Sequence, residues 1–170
     1  MMRVMAASVS AVQAWQAALA AQAWPASQAW PASPAPPALQ AALAAEDAAI
    51  FGYGVAGAHL SGSRKSAAEQ DWTDHNEARD TLTAMISALG ATPAAAQAFY
   101  QLPFEVNNAA SAAKLAAYLE EGVTRAYLGL VAVSDRRLRM FGALAMQGPA
   151  ERAAFWRGNT EAFPGLDPPD

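Results

Sequence analysis

Leu39-Gln-Ala-Ala-Leu43-Ala-Ala-Glu46-Asp-Ala-Ala-Ile50-Phe-Gly-Tyr53-Gly-Val-Ala-Gly57-Ala-His-Leu60 carries one unbroken 4-3-4-3 stripe: Leu39, Leu43, Glu46, Ile50, Tyr53, Gly57 and Leu60. A helix with this spacing turns the whole stripe toward partner helices. Leucine and isoleucine suit such a seam. A glutamate does not unless the core satisfies it, because an unpaired buried charge is very costly. The next helical stretch repeats the anomaly at Ala68, Trp72, His75, Arg79, Leu82, Ile86 and Leu89, with a histidine and an arginine in the seam. The two stripes predict a helical bundle with a polar centre.

The chain has 170 residues, enough for one domain with a real core plus a tail. Fifteen acidic residues against eleven basic give a net charge of -4, with a pI near 5.1. No basic stripe forms, so no nucleic-acid partner is expected. The absence of cysteine excludes disulfides, thiolate catalysis and iron–sulfur clusters. No run of 18 uninterrupted apolar residues occurs, so no membrane partner is expected.

Residues 1–37 differ from the rest. Gln22-Ala-Trp-Pro-Ala-Ser27 is repeated as Gln28-Ala-Trp-Pro-Ala-Ser33, and Pro34, Pro36 and Pro37 follow. Proline at this density opposes helix and favours extended chain. This segment reads as an Ala/Pro-rich arm or linker. Trp15, Trp24 and Trp30 within it suit a contact element, on a second subunit or on a protein partner. Arg3, the apolar run after it and Ala21-Gln22-Ala23 also fit a weak export signal, although Gln13 and Gln16 interrupt the run. The expected location is cytoplasmic, with export as the alternative.

From residue 38 to 166 the chain reads as four helices, with residues 167–170 as a C-terminal tail. The first spans about 38–60 and the second about 67–89, closed by Gly90 as a left-handed cap. The third begins after Asn108 or Ser111 and reaches about 133. Ser134 or Asp135 caps the fourth, which runs to about 157 with a kink at Gly148-Pro149. The first pair and the last pair are joined tightly, while residues 90–110 form a long aperiodic connection. A helix of this size is roughly 35 Å long, and such a connection can traverse it. The fold class expected is all-α: a ferritin-like antiparallel four-helix bundle with a long crossover between helices two and three. An up-down-up-down bundle with an oversized loop is the alternative.

Several segments resemble a ferritin-like family of bacterial proteins catalogued as a domain of unknown function. They are Ala45-Glu-Asp-Ala-Ala-Ile-Phe-Gly-Tyr-Gly-Val55, His75-x-x-x-Arg79-Asp80, Tyr100-Gln-Leu-Pro-Phe-x-Val-Asn-Asn108, Ala113-Lys-Leu-Ala116 with Leu119-Glu-Glu121, and Ala162-Phe-Pro-Gly165. The element with Gln101 and Asn108 at its ends is the most distinctive. The resemblance covers residues 38–166. It implies the ferritin-like fold and brings no established activity.

A di-iron carboxylate bundle takes one Glu from each of two helices and Glu-x-x-His from each of the others. Glu46 and Glu120 match the single glutamates. His75 lacks its glutamate, since position 72 is tryptophan, and the fourth helix has no histidine. Glu46, His75 and Glu120 leave a weak single-metal site as an alternative. The preferred reading is a buried polar network of Glu46, His75, Arg79, Glu120 and Arg152. Hairpin heights place Arg79 level with Glu46 and Arg152 level with Glu120, and a guanidinium fork suits a carboxylate. No cofactor and no catalytic residue are expected. Trp72 and Tyr53 read as core packing, and Gly52, Gly54 and Gly57 as small residues that let helices approach. Phe99, Tyr100 and Phe104 read as pins holding the crossover to the bundle, or else as the lining of a ligand groove. The functional expectation is a structural or protein-interaction role, with homodimerisation. A metal-binding or oxidative-stress protein and a small-molecule binder are the alternatives.

Overall fold

The computed structural model describes residues 37–160 and 164–165. Among them every regular element is a helix: α1 (Pro37–Gly57), α2 (Gly62–Ala88), α3 (Ala109–Val131), α4 (Arg136–Ala145) and α5 (Gln147–Arg157). None is long and apolar enough to cross a membrane. The expectations for the arm before Pro37, for its tryptophans, for an export signal and for the 167–170 tail lie outside the described residues.

Helix ends follow local chemistry. Pro37 opens α1, where its missing N–H costs nothing. Gly90, at φ +76°, closes α2 while Ala91 N–H returns to the Ile86 carbonyl. Asn108 caps α3, accepting from the Ala110 and Ser111 amides, and the Ser111 hydroxyl accepts from the Asn108 amide in return. Asp135 caps α4 through the Arg137 and Leu138 amides. α4 and α5 form one rod broken at Met146, because Pro149 cannot donate to the Ala145 carbonyl. α2 starts five residues before the expected 67. Residues 61–66 are all exposed, so this first turn has no apolar period to betray it; Lys65 and Glu69 pair along it at 3.9 Å.

Side-chain contacts give the helix directions. On α1, Glu46 meets His75 of α2 and Tyr127 of α3, while Tyr53 meets Asp71 and Glu120. Rising numbers on α1 meet falling numbers on both partners, so α1 is antiparallel to α2 and to α3. Glu120 meets Arg152 of α5, whereas Tyr127 and Leu130 lie against Gly142 of α4. The broken rod is therefore antiparallel to α3. Residues 89–108 join two helices that point the same way. They run along the bundle as they do so: the Gln40 side chain bonds the Thr92 carbonyl and the Ala94 amide, Phe51 packs on Phe99 and Tyr100, and Phe104 packs on Tyr118 under Lys114.

The core is built from Leu39, Leu43, Leu82, Ile86, Leu115, Val123, Leu130 and Trp156, filled in by alanines. Of the first stripe Leu39, Leu43, Glu46, Tyr53 and Leu60 are buried, whereas Ile50 and Gly57 are half-buried and the neighbouring Ala49 and Ala56 face inward instead. The second is shifted by one position at one level: Asp71 is buried and Trp72 is 44% exposed, so Trp72 is not core. A Cβ at Gly52 would lie 2.5 Å from Leu119, so that glycine does permit close approach, whereas Gly54 and Gly57 face open space. Gly165, at φ +81°, lies against Thr124 and Arg125 of α3.

At Gly142 helix α4 lies directly on the backbone of α3. An added Cβ there meets Leu130 Cβ at 2.7 Å and the Tyr127 carbonyl at 2.8 Å. Gly142→Ala is expected to destabilise by about 1–3 kcal/mol through overpacking, against its better helix propensity of about 1 kcal/mol. Gly129→Ala, which meets nothing within 4 Å, is expected to be neutral or mildly stabilising. Urea midpoints of the two variants check the contrast.

Candidate functional site: a buried chain of carboxylates and cations

Halfway along the bundle the apolar core is interrupted by polar side chains from α1, α2, α3 and α5. Glu46, His75 and Glu120 are each at most 1% exposed. His75 Nδ1 lies 2.6 Å from Glu46 Oε2, and its Nε2 lies 3.1 Å from Glu120 Oε1. The other Glu46 oxygen accepts from Tyr127 OH at 2.6 Å. Glu120 Oε1 also accepts from Tyr53 OH at 2.6 Å and from Arg152 Nε at 2.7 Å. Tyr53 OH further reaches Asp71 Oδ2 at 3.1 Å, which accepts from Trp156 Nε1 at 2.8 Å. The chain thus runs Tyr127, Glu46, His75, Glu120, then Tyr53 and Arg152, then Asp71 and Trp156.

Hydrogen-bond logic sets the protonation states. Ionised carboxylates only accept, so a ring with a carboxylate at each nitrogen is an imidazolium. Burial alone would strip the His75 proton, but the Glu120 and Glu46 charges outweigh it and hold the pKa at about 9. Burial alone would raise Glu120, but Arg152 and His75 hold it at about 2. For Arg152, burial opposes the charge and Glu120 more than restores it. Burial, with Glu120 for Tyr53 and Glu46 for Tyr127, pushes both phenols well above their ordinary range, so they remain neutral donors. Asp71 is raised by burial first and by Glu120 second, against the pull of Arg152. Glu120 Oε2 is buried without a partner.

Of the residues expected in the network, the structure brings Glu46, His75, Glu120 and Arg152 together. Arg79 is a correction. His75, not Arg79, stands opposite Glu46, and Arg79, one turn further along α2, bonds Asp80 at 2.8 Å near the surface. His75 and Tyr127 already occupy both Glu46 oxygens, and the long Arg79 side chain keeps its charge in water. Arg79 also opposes the burial-driven rise of the neighbouring Asp47. Tyr53 was legible only as a stripe and core residue, and the sequence did not single out Tyr127, Asp71 or Trp156. The signal available for Asp71 was its place one turn before His75 on the same face.

The same geometry tests the two-metal centre of carboxylate bundles. Position 72 holds an exposed tryptophan in place of the required glutamate, and His59, the other histidine, is exposed in the α1–α2 turn. Glu46 and Glu120 lie at opposite edges of the His75 ring, so the three do not converge on one point. No group of three potential ligands suited to a metal ion occurs among the described residues. These residues do not fit the di-iron group.

Two measurements follow from the charges. Arg152→Leu is expected to cost about 3–5 kcal/mol, since it strips a partner from a buried carboxylate. Arg79→Leu is expected to stay within about 1 kcal/mol, as for a surface pair. The His75 pKa of about 9 in the folded protein stands above the ordinary histidine value of 6.5. The stability it contributes is complete below about pH 6.5 and is lost as pH rises through about 9. Denaturation at pH 6 and pH 9 is expected to show this decline, and His75→Gln to flatten it.

Comparison with known proteins places this site in a family. No curated protein matches the chain. The chain is similar to a solved structure, a conserved hypothetical protein, rv2844, from Mycobacterium tuberculosis. The two are 34% identical with a TM-score of 0.69, over 72% of this chain and 93% of that one. The family model described as Domain of unknown function (DUF4439) matches residues 38–168. That match takes in all five helices and the polar centre between them, and the chain belongs to this family.

Proposed function

We propose that this domain is a ferritin-like four-helix bundle whose centre is completed by its own side chains rather than by iron, and that its role is structural, exercised through protein contacts. One observation carries the reading: the His75 ring stands between Glu46 and Glu120 and uses both nitrogens on them. A ring held in this way has no lone pair to offer a metal, and it keeps the two glutamates apart. The antiparallel contacts of α1 with both α2 and α3 support the ferritin-like crossover. In this reading the 1–37 arm, with three tryptophans, supplies the contact surface, and the protein works as a cytoplasmic homodimer.

Elemental analysis of purified protein is expected to find no stoichiometric iron, manganese or zinc, and iron(II) oxidation is expected to stay at the buffer rate. One tightly held ion per chain, lost in Glu46→Ala, overturns the reading. Deleting residues 1–36 is expected to leave the bundle's melting temperature nearly unchanged while altering its sedimentation or its capture of a protein partner. Identical sedimentation and identical capture reduce the arm to a linker.

A further inference from the structure

One side of the bundle is not closed by packed helices. α1 packs on α2 and α3, and α3 packs on α4 and α5, but α2 and the α4–α5 rod hardly approach. Toward one end Arg152 bridges that side to Asp71 and Asp74, and Trp156 bonds Asp71. These contacts show which face each helix turns to the other. Back along the rod from Arg152, on the same side, come Gly148, Leu144 and Phe141; a Cβ at Gly148 would stand 3.3 Å from Arg152 Nη1. Onward along α2 from Asp74 come Ala78 and Met85. Ala78, Met85, Phe141 and Gly148 are half-buried, and Leu144 is 43% exposed. Met85 and Phe141 pack against the core below. The result is an apolar groove between α2 and α4. It runs from the Arg152 bridge to the end of the bundle where α2 stops and α4 begins.

That end is also where residues 1–36 join the bundle. α1 is antiparallel to α2, so Pro37 stands beside the end of α2, where the Gln40 side chain bonds the Thr92 carbonyl and the Ala94 amide. The arm has the composition an apolar groove accepts: Arg3 is its single charged side chain. Its repeat also has a useful period. Trp24 and Trp30 are six residues apart, each followed by proline. In a polyproline II strand three residues make one turn, so residues six apart project from the same side, roughly 19 Å from each other. On α2, Asp74 and Ala88 are separated by roughly 21 Å of helix. Two indoles on one side of such a strand match the length of the groove. An indole also brings a large apolar body whose N–H can find an acceptor at the rim.

We infer that the arm of one copy lies in the α2–α4 groove of a second copy, with Trp24 and Trp30 seated on Met85, Phe141 and Leu144, and that two copies exchange arms reciprocally. This rests on the reading that the arm is the contact element of a homodimer, and it names where the arm binds. The spacer decides between a chain's own groove and its neighbour's. A chain preceding Pro37 must reverse direction to run back between its own α2 and α4. Pro34, Pro36 and Pro37 make that stretch a stiff, extended spacer, and a short spacer that resists folding back favours exchange over self-docking. Exchange also gives two identical contacts related by a two-fold axis, which closes the assembly at two copies.

Sedimentation of wild type, a chain lacking residues 1–36, Trp24→Ser/Trp30→Ser and Leu144→Glu tests this, with the circular dichroism of each as a check on folding. Wild type is expected to be a dimer, and each variant is expected to weaken it by about 10-fold or more, as for loss of a central apolar anchor. Tryptophan emission is expected to shift to the red in Leu144→Glu, because the arm indoles return to water. A dimer that Leu144→Glu leaves intact overturns the inference and leaves the proposed function standing, since the arm then makes its contact elsewhere. A monomeric wild type whose emission Leu144→Glu shifts to the red puts the arm in its own groove and overturns the exchange. Identical sedimentation of wild type and the truncated chain overturns the inference together with the contact role of the arm. If Leu144→Glu does not fold, Leu144→Ser, which adds no charge, takes its place under the same readings.

Discussion

A single imidazolium held between two glutamates sets the terms for the rest of this bundle. His75 bonds Glu46 of α1 on one edge and Glu120 of α3 on the other, so one side chain of α2 ties three helices at one height. Three buried groups would be ruinous separately. Together they form an alternating carboxylate–cation–carboxylate row in which each charge has an opposite neighbour. Such a row does not by itself add net stability over an apolar core of the same shape. It does fix registry, because sliding any helix by one turn would strand at least one charge.

The surrounding residues finish this arrangement. Tyr127 and Tyr53 each donate to a glutamate from a phenol whose proton is held by burial and nearby negative charge. Arg152 brings a second cation from α5, and Trp156 donates to Asp71. Trp156 and Arg152 link α5 to Asp71 and Asp74 of α2, so a side of the bundle where the backbones hardly approach is bridged by side chains. The opposite requirement holds between α3 and α4, where Gly142 allows the backbone of one helix to lie on the other.

The long connection also has a physical task. Residues 89–108 bring the chain from the end of α2 to the start of α3 when both helices point the same way. Gln40 acts as a surrogate backbone for it, giving an N–H to Thr92 and accepting from Ala94. Phe51 and Tyr118 supply the aromatic surface for its second half. Its polar backbone stays near water, which is why this segment carries no hydrophobic period of its own.

Much of this was legible in the residues alone. The 4-3-4-3 spacing from Leu39 to Leu60 demanded an amphipathic helix with a buried glutamate, because a helix turns every third and fourth residue to one side. Proline, glycine and asparagine marked the ends of the helices through local backbone chemistry, and connection lengths bounded the topology. The spacing of hairpin residues also put Arg152 at the height of Glu120. Height is only one coordinate. Whether a long side chain turns inward depends on rotation about the helix axis, on how far apart the facing backbones stand, and on which acceptors are already taken. Those quantities exist only once four rods are packed. They decided that Arg152 enters and Arg79 stays out, that Asp71 is buried and Trp72 exposed, and that Tyr53 and Tyr127 serve as donors as well as core. A sequence period describes one helix against an average partner; the pairing of charges inside a core is set by the actual partners at distances of about 3 Å.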